Sequence, residues 1–231
     1  MNQSRREKKR TAALDEIRAT AWKQIGEMGA AALSLRGIAR EMGVTAPALY
    51  RYYRDRDALV TALLMDAFTA FGDALETTRD SVSASDHAGR FRFVCKAYFK
   101  WATENPQRYA LLFGTPIPGY LFADELGPIA RRSFLILQGV IGEAYNAGKV
   151  VEDLAANRLP TGLNSQYQAL KKMGMPYVPA VTHLALSVWS EMHGMTSLYL
   201  YNYLNSFLQR DVEAFVDFEI EKIARVIGLI E

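Results

Sequence analysis

Apolar residues return along this chain mostly in steps of three and four, the spacing of a helix face rather than a strand. The first series is Leu14, Ile17, Ala21, Ile25 and Met28, and Gly29 closes it. Ser34 then stands where an N-cap hydroxyl is wanted, ahead of Leu35, Ile38, Ala39 and Met42, and Gly43 stops this short helix where a positive φ is easy. Thr45 is placed to cap a third helix, Ala46 to about Tyr53. That helix tolerates Pro47, because a first-turn proline lacks only an N–H that has no intrahelical partner.

A longer helix is expected from Arg56 to roughly Thr77, with Leu59, Leu63, Ala67, Ala70, Phe71 and Ala74 on one side; the polar run DSVSASD at 80–86 ends it. Further helices are expected from Ala88 to Glu104, from Gln107 to Phe113 after Pro106, and from Pro128 to Ala147 before Gly148. A short one fits between Asn164 and Met173, and two more finish the pattern, Pro179 to Leu204 and Asp211 to Ile230. GTPIPGY at 114–120 must be a loop. No stretch alternates as a strand does and no long-period repeat is present, so the expected class is all-α.

Half of the 231 residues are hydrophobic, enough to bury one large core or two modest ones. The start, MNQSRREKKR, is too polar for a signal peptide, and the apolar stretch from Pro179 to Leu204 is interrupted by His183, Glu191, His193 and Asn202. The expectation is a soluble cytoplasmic protein with no membrane partner. The single cysteine, Cys95, excludes an intramolecular disulfide and a Cys-rich zinc site and reads as a buried structural thiol. His87 and His183 have no ligand-like companions, so neither a metal nor a cofactor is expected.

Charge changes the picture more than composition does. Residues 1–56 hold twelve Lys/Arg against six Asp/Glu, a net of +6, whereas residues 57–231 hold fifteen against nineteen, a net of −4. A basic head on an acidic body suggests that only the head meets a polyanion. The expected division is therefore residues 1–56, a basic tail and a three-helix head, and residues 57–231, a helical body.

Counting Leu35 as position one, Ala39 is fifth, Gly43 ninth and Leu49 fifteenth. Ala39 is small where two helices cross, Gly43 permits the sharp turn, and Leu49 with Val44 is expected to seal a small core; that is how a helix-turn-helix presents one helix to a major groove. The stretch SLRGIAREMGVTAPALYRYYRDRDALV, residues 34–60, resembles the N-terminal signature of TetR-family regulators through Ser34, Ile38, Ala39, Gly43, Val44, Thr45, Leu49, Tyr50, Tyr52, Tyr53, Arg56 and Leu59.

The resemblance implies a DNA-binding regulator in which Ser34, Thr45, Tyr50, Tyr52 and Arg56 touch phosphates or fix the reading helix, while Ala46, Pro47, Tyr50 and Arg51 lie nearest base edges. Hydroxyls and arginines are what phosphates attract, which agrees for the first set. Ala46 and Pro47 depart from many relatives: neither can read a donor or acceptor pattern, so specificity is expected to rest on Arg36, Arg51, Tyr50 and DNA shape. Tyr53 is expected to pack as an aromatic lid.

Residues 189–194, WSEMHG, resemble the Trp-His-Gly set of one TetR subgroup. Trp189 and His193 lie four apart on one helical face, where His193 reads as either a satisfied core histidine or a pocket-lining group, and Gly194 in a helix interior implies close backbone approach. The body is dense in aromatics, and a cavity between helices lined by them is the usual form of a small-molecule site. Tyr98, Trp101, Phe113, Phe134, Gln138, Trp189 and His193 are the expected lining. Val216, Ile220, Ile223, Ile227 and Ile230 form a stripe that seals a bundle. In the family the last two helices form the dimer interface, and twofold symmetry pairs two heads with a palindromic operator.

The expected function is thus a repressor released from double-stranded operator DNA by a small, largely apolar effector. A DNA-binding regulator or architectural protein without such a ligand is the alternative. An enzyme stands further off: there is no GxSxG, HExxH or GxGxxG, and Gly142 to Lys149 has one residue too many for a P-loop and continues a helical pattern, so no catalytic residue is assigned.

Overall fold

In a computed structural model, residues 5–150, 159–172, 178–208 and 211–230 are described. Helix α1 (Arg5–Met28) starts well before its apolar stripe, because Arg, Glu, Lys and Ala prolong a helix without needing a buried face. Glu7 in its first turn suits the positive end of the helix dipole. A 3-10 turn (Ala30–Ala32) leads to α2 (Leu35–Glu41) and α3 (Ala46–Tyr50). The remaining helices are α4 (Arg56–Asp80), α5 (His87–Glu104), α6 (Pro106–Phe113), α7 (Gly127–Asn146), α8 (Thr161–Lys172), α9 (Pro179–Leu200), α10 (Asn205–Leu208) and α11 (Val212–Val226). The described residues form no strand, as the periodicity requires.

The chain gathers into two compact units, divided otherwise than at residue 56. The first takes the chain up to Phe68 together with Asn105–Gly127; the second takes Thr69–Glu104 and the chain from Pro128 onward. Helix α4 supplies its first half to one core and its second half to the other.

In the first unit Ile17, Ala21 and Ile25 of α1 are buried with Leu35, Ile38, Leu49, Leu59 and Leu63. Tyr53 closes this core as expected, 6% exposed, with its hydroxyl accepting from Arg18 Nε at 3.1 Å. Val44 does not help: at 42% exposure it faces outward, since the left-handed Gly43 just before it turns the chain away from the core. Met28 is likewise exposed at the end of α1. Helix α6 packs on α1, where the Arg108 guanidinium lies 5.2 Å from the Trp22 ring centre and Gln107 approaches Gly26.

In the second unit α5 packs against α9 and α11. Asp86 Oδ1 accepts from the Gly89 N–H at 2.7 Å, capping α5, and a Cβ at Gly89 would sit 2.1 Å from the same carboxylate. Arg92 reaches Glu221 through Nε and Nη2 at 2.6 and 2.9 Å. Arg132 lies across Gly72 and pairs with Glu76 and with Asp73, which joins α7 to the second half of α4. The Arg132 guanidinium holds the Glu76 carboxyl below the usual range. Cys95 is buried, and burial pushes its thiol well above the ordinary value.

Two endings differ from the pattern. Helix α9 stops at Leu200 rather than Leu204, because Asn202 takes φ 64° and turns the Tyr203 N–H back to Leu198 O at 2.8 Å. Helix α11 stops at Val226, and Ile230 lies beyond it. Its stripe of Val216, Ile220, Ile223 and Ile227 is at most 4% exposed and is spent within its own subunit. Of the segment expected to be helical from Asn164, Met173 lies outside the described residues.

Helix α4 is long and apolar enough to cross a membrane by length and composition. It is a core helix instead, with Leu59, Val60, Leu63, Leu64, Ala67, Phe68 and Phe71 all at most 5% exposed.

Gly43 holds φ 65° with nothing within 4 Å of where a Cβ would stand, so a substitution there meets strain and not a clash. Gly43→Ala should therefore cost about 1–2 kcal/mol and Gly43→Asn distinctly less, because Asn tolerates the left-handed region. Urea unfolding of both variants checks this; equal costs would mean that φ is not the constraint.

Candidate nucleic-acid interface

The short helices α2 and α3 are held from beneath and bare above. Leu35, Ile38, Ala39 and Leu49 are each at most 3% exposed, so both helices are anchored by their inner residues. Ser34 Oγ accepts from the Gly37 N–H at 3.0 Å, the expected N-cap. A hydroxyl that accepts through its lone pair can still donate its own proton to a phosphate. Thr45 occupies the N-cap position of α3, but its hydroxyl makes no cap bond.

Arg36, Pro47 and Arg51 are exposed, Tyr50 is 46% exposed, and Ala46 and Tyr52 are half-buried. Arg36 and Arg51 form no ion pair among the described residues, and the same holds for Arg40 at the end of α2, which the spacing argument passed over. The nearby carboxylate, Glu41, is neutralised: Lys23 Nζ lies 2.6 Å away and Gln24 Nε2 donates at 3.0 Å, and these two bonds lower its pKa. The outer surface of the two helices thus keeps its cations uncompensated, which favours a polyanion.

Two residues find partners that the sequence did not signal. Arg10 places its guanidinium 5.9 Å from the Tyr52 ring centre, a contact possible only because the basic tail is helical and in phase with α1. Arg56 spends its donors on main-chain carbonyls: Nε on Leu33 O at 3.1 Å, Nη1 on Pro118 O at 3.2 Å, and Nη2 on Ala30 O and Ala31 O at 3.3 and 3.1 Å. Of the two roles the resemblance allowed it, this geometry fits the fixing of the head and not a phosphate contact.

The seven residues expected around a ligand are distributed over the two units. Phe113 belongs to the first unit, edge-on to Phe68 at 6.4 Å. The other six lie in the second. Trp101 stacks on Phe71 with ring centres 4.7 Å apart, and Gln138 Nε2 donates to Thr182 Oγ1 at 2.9 Å. Trp189 sits between Phe134, at 6.3 Å, and His193, at 6.0 Å. His193 Nδ1 is 3.4 Å from the Tyr98 hydroxyl and Nε2 is 3.4 Å from Ser197 Oγ; burial lowers its pKa.

Only Tyr98 and Trp189 of the set border the small void beside Cys95, Ser133, Leu137 and Met192, whose volume of about 10 Å³ is that of one water molecule. A larger space, about 690 Å³, is an open groove along α5 and α11 whose charges Lys96 and Asp217 already pair with each other at 2.8 Å. No group of three or more potential metal ligands occurs among the described residues.

Comparison with known proteins gives this geometry its place. Residues 17–63 match the family model described as bacterial regulatory proteins of the tetR family, and residues 91–223 match a tetracyclin repressor-like C-terminal domain. HTH-type transcriptional regulators of Mycobacterium tuberculosis and Mycobacterium bovis are each 30% identical over 210 residues, 89% of this chain and 88% of theirs. The solved regulatory protein SCO4313 is 32% identical with a TM-score of 0.77, over 95% of this chain and 98% of that one. AibR, solved with isovaleryl coenzyme A and operator DNA, shares the fold at a TM-score of 0.60 and 15% identity, over 94% of this chain and 99% of its own. The chain therefore belongs to the TetR family, and it is a DNA-binding transcription regulator with a helix-turn-helix head and not an enzyme.

Proposed function

We propose that this regulator is a cytoplasmic homodimeric repressor that holds a palindromic operator through residues 1–56 and releases it when a small, largely apolar effector enters the body formed by residues 57–231. The observation that carries the DNA half is the bare outer face of α2 and α3, with Arg36, Thr45, Pro47, Tyr50 and Arg51 outward and Leu49 buried beneath them. Ser34, Thr45, Tyr50 and Tyr52 suit the phosphates. Ala46, Pro47, Tyr50 and Arg51 suit the base edges, where alanine and proline can meet only a thymine methyl.

Dimerisation draws its support from the opposite side of the last helices. With the α11 stripe spent internally, the apolar groups left outside are Leu198 on α9 and Phe218 and Val226 on α11, at 45%, 64% and 57% exposure. Gly194, one turn before Leu198, has nothing within 4 Å of its Cβ position, which leaves room for a neighbour's backbone.

The effector half rests on Tyr98, Trp189 and His193, an apolar setting with a few polar tips, and on the fold shared with AibR, which was solved with an acyl thioester. Phe134 and Gln138 flank this cluster on α7. A regulator without a small-molecule ligand is the second reading, favoured by the one-water size of the void.

Three outcomes are expected. Affinity for a duplex selected from random DNA should fall with salt, and Arg36→Ala and Arg51→Ala should each weaken binding by about 1–3 kcal/mol and relax sequence preference; unchanged affinity and preference in both would remove the interface. Leu198→Glu with Phe218→Glu should convert a dimer to a folded monomer in sedimentation. Ile220→Glu should instead unfold the subunit, because a buried unpaired charge costs several kcal/mol. A double variant that stays dimeric would rule out this face.

Short-chain fatty acids and their coenzyme A thioesters form the effector panel. A binder that raises the melting temperature should weaken DNA binding about 5- to 150-fold, and Trp189→Ala or His193→Ala should blunt that response while sparing DNA affinity. Binding that leaves DNA affinity untouched defeats the sensor. A silent panel supports the ligand-free reading.

A further inference from the structure

Arg56 stands in the first turn of α4, where the helix dipole favours carboxylates and opposes a cation. Asp55 answers the dipole, accepting from the Ala58 N–H at 2.7 Å, and Asp57 stands in the same turn. The guanidinium is held by something else: carbonyls from two stretches of chain far apart in sequence. One group is Ala30 O, Ala31 O and Leu33 O, at 3.3, 3.1 and 3.1 Å, in and just after the 3-10 turn between α1 and α2. The other is Pro118 O at 3.2 Å.

Pro118 and Gly119 are the middle residues of a tight turn. The Tyr120 N–H is 3.1 Å from Ile117 O and Gly119 takes φ 77°, the marks of a type II turn, whose second carbonyl takes no part in the turn's own bond. That carbonyl is free to accept from Arg56. One turn further along α4, Thr61 Oγ1 and the Tyr120 hydroxyl lie 2.9 Å apart and tie the same loop a second time.

We propose that Arg56 is a latch and not a DNA contact: it joins the linker that carries Ser34 to the loop at 114–120, so that the position of this loop sets how firmly the reading helices are held. The linker ends at Leu33, the residue before the α2 cap, so loosening its carbonyls loosens Ser34 and the start of α2. The loop follows α6 directly and is joined to α7 through residues 121–126, which end in a 3-10 turn (Asp124–Leu126), so it lies on the covalent path from the end of α5 to the start of α7. Lysine cannot replace the arginine, because one ammonium cannot span carbonyls on both sides as a planar fork of five donors does. The consequence for regulation rests on the DNA-binding reading; the latch itself does not.

The test uses the full chain and the variants Arg56→Lys, Arg56→Gln and Gly119→Ala, the last straining the turn without changing a charge. Amide exchange over residues 30–38 and 117–121 is read beside the salt series on the selected duplex. The latch requires exchange to quicken at least about tenfold in both segments together in the Arg56 variants. It also requires Lys and Gln to weaken DNA binding alike, with the salt slope unchanged. Gly119→Ala should quicken exchange at 30–38 as well.

A phosphate contact would show the reverse: Lys restores affinity, Gln lowers the slope by about 0.9, and exchange stays as it was. Either that pattern or unchanged protection of 30–38 in Gly119→Ala overturns the latch, and the glycine variant decides the matter if the Arg56 variants fail to fold. Should the wild-type chain select no duplex, the regulator reading fails while the exchange measurements still judge the latch.

Discussion

The two reading helices of the head, α2 and α3, are too short to hold themselves together, and the main-chain groups left over at their ends are the constraint on which the rest of the head depends. A helix of seven residues and one of five satisfy few bonds internally, and helices of that length are unstable alone. Four N–H groups at one end and four carbonyls at the other need partners elsewhere. Ser34 and Asp55 supply acceptors at two N-termini. Gly43 lets the Val44 N–H fold back to Ala39 O at 3.0 Å, and Arg56 collects the carbonyls of the preceding 3-10 turn. With the ends settled by side chains from within the head, its outer hydroxyls and arginines remain available to a partner.

This economy decides what each polar residue can do. An arginine whose donors rest on four carbonyls has little left for DNA, whereas Arg36 and Arg51 have no competing carboxylate among the described residues. The same logic separates Lys23 from the interface, because Glu41 already takes its charge. Counting basic residues in the head therefore overstates its unpaired charge, since Lys23 is paired with Glu41 while Arg36, Arg40 and Arg51 have no ion pair among the described residues.

Much of this was legible in the sequence. Helix faces, the Ser34 cap, the Gly43 turn and Tyr53 as a lid rest on local rules and appear where the pattern puts them, whereas Val44 faces outward and the Thr45 hydroxyl makes no cap bond. What could not be read were contacts between residues far apart in the chain. Nothing in GTPIPGY says that Pro118 O will meet Arg56, and nothing in the Ile220 stripe says whether it faces its own subunit or another. Helical spacing gives a face and not the neighbour, so it could not say that Phe113 would lie edge-on to Phe68 or Trp189 between Phe134 and His193. Asn202 was readable in retrospect, since asparagine is one of the few residues that ends a helix in the left-handed region.

The closed void among Tyr98, Ser133 and Trp189 bears on how an effector would act. A void with room for one water cannot hold an organic molecule without repacking, so an effector that used it would have to bind a different arrangement of these side chains. Apparent affinity would then fall by the fraction of molecules in that arrangement, and the same cost would let such a ligand regulate, provided that it bound one state far better than the other. A preformed cavity would bind more tightly and couple less. The packing of Trp101 on Phe71 and of Trp189 between Phe134 and His193 is what such an effector would have to open, and those ring contacts set the cost of doing so.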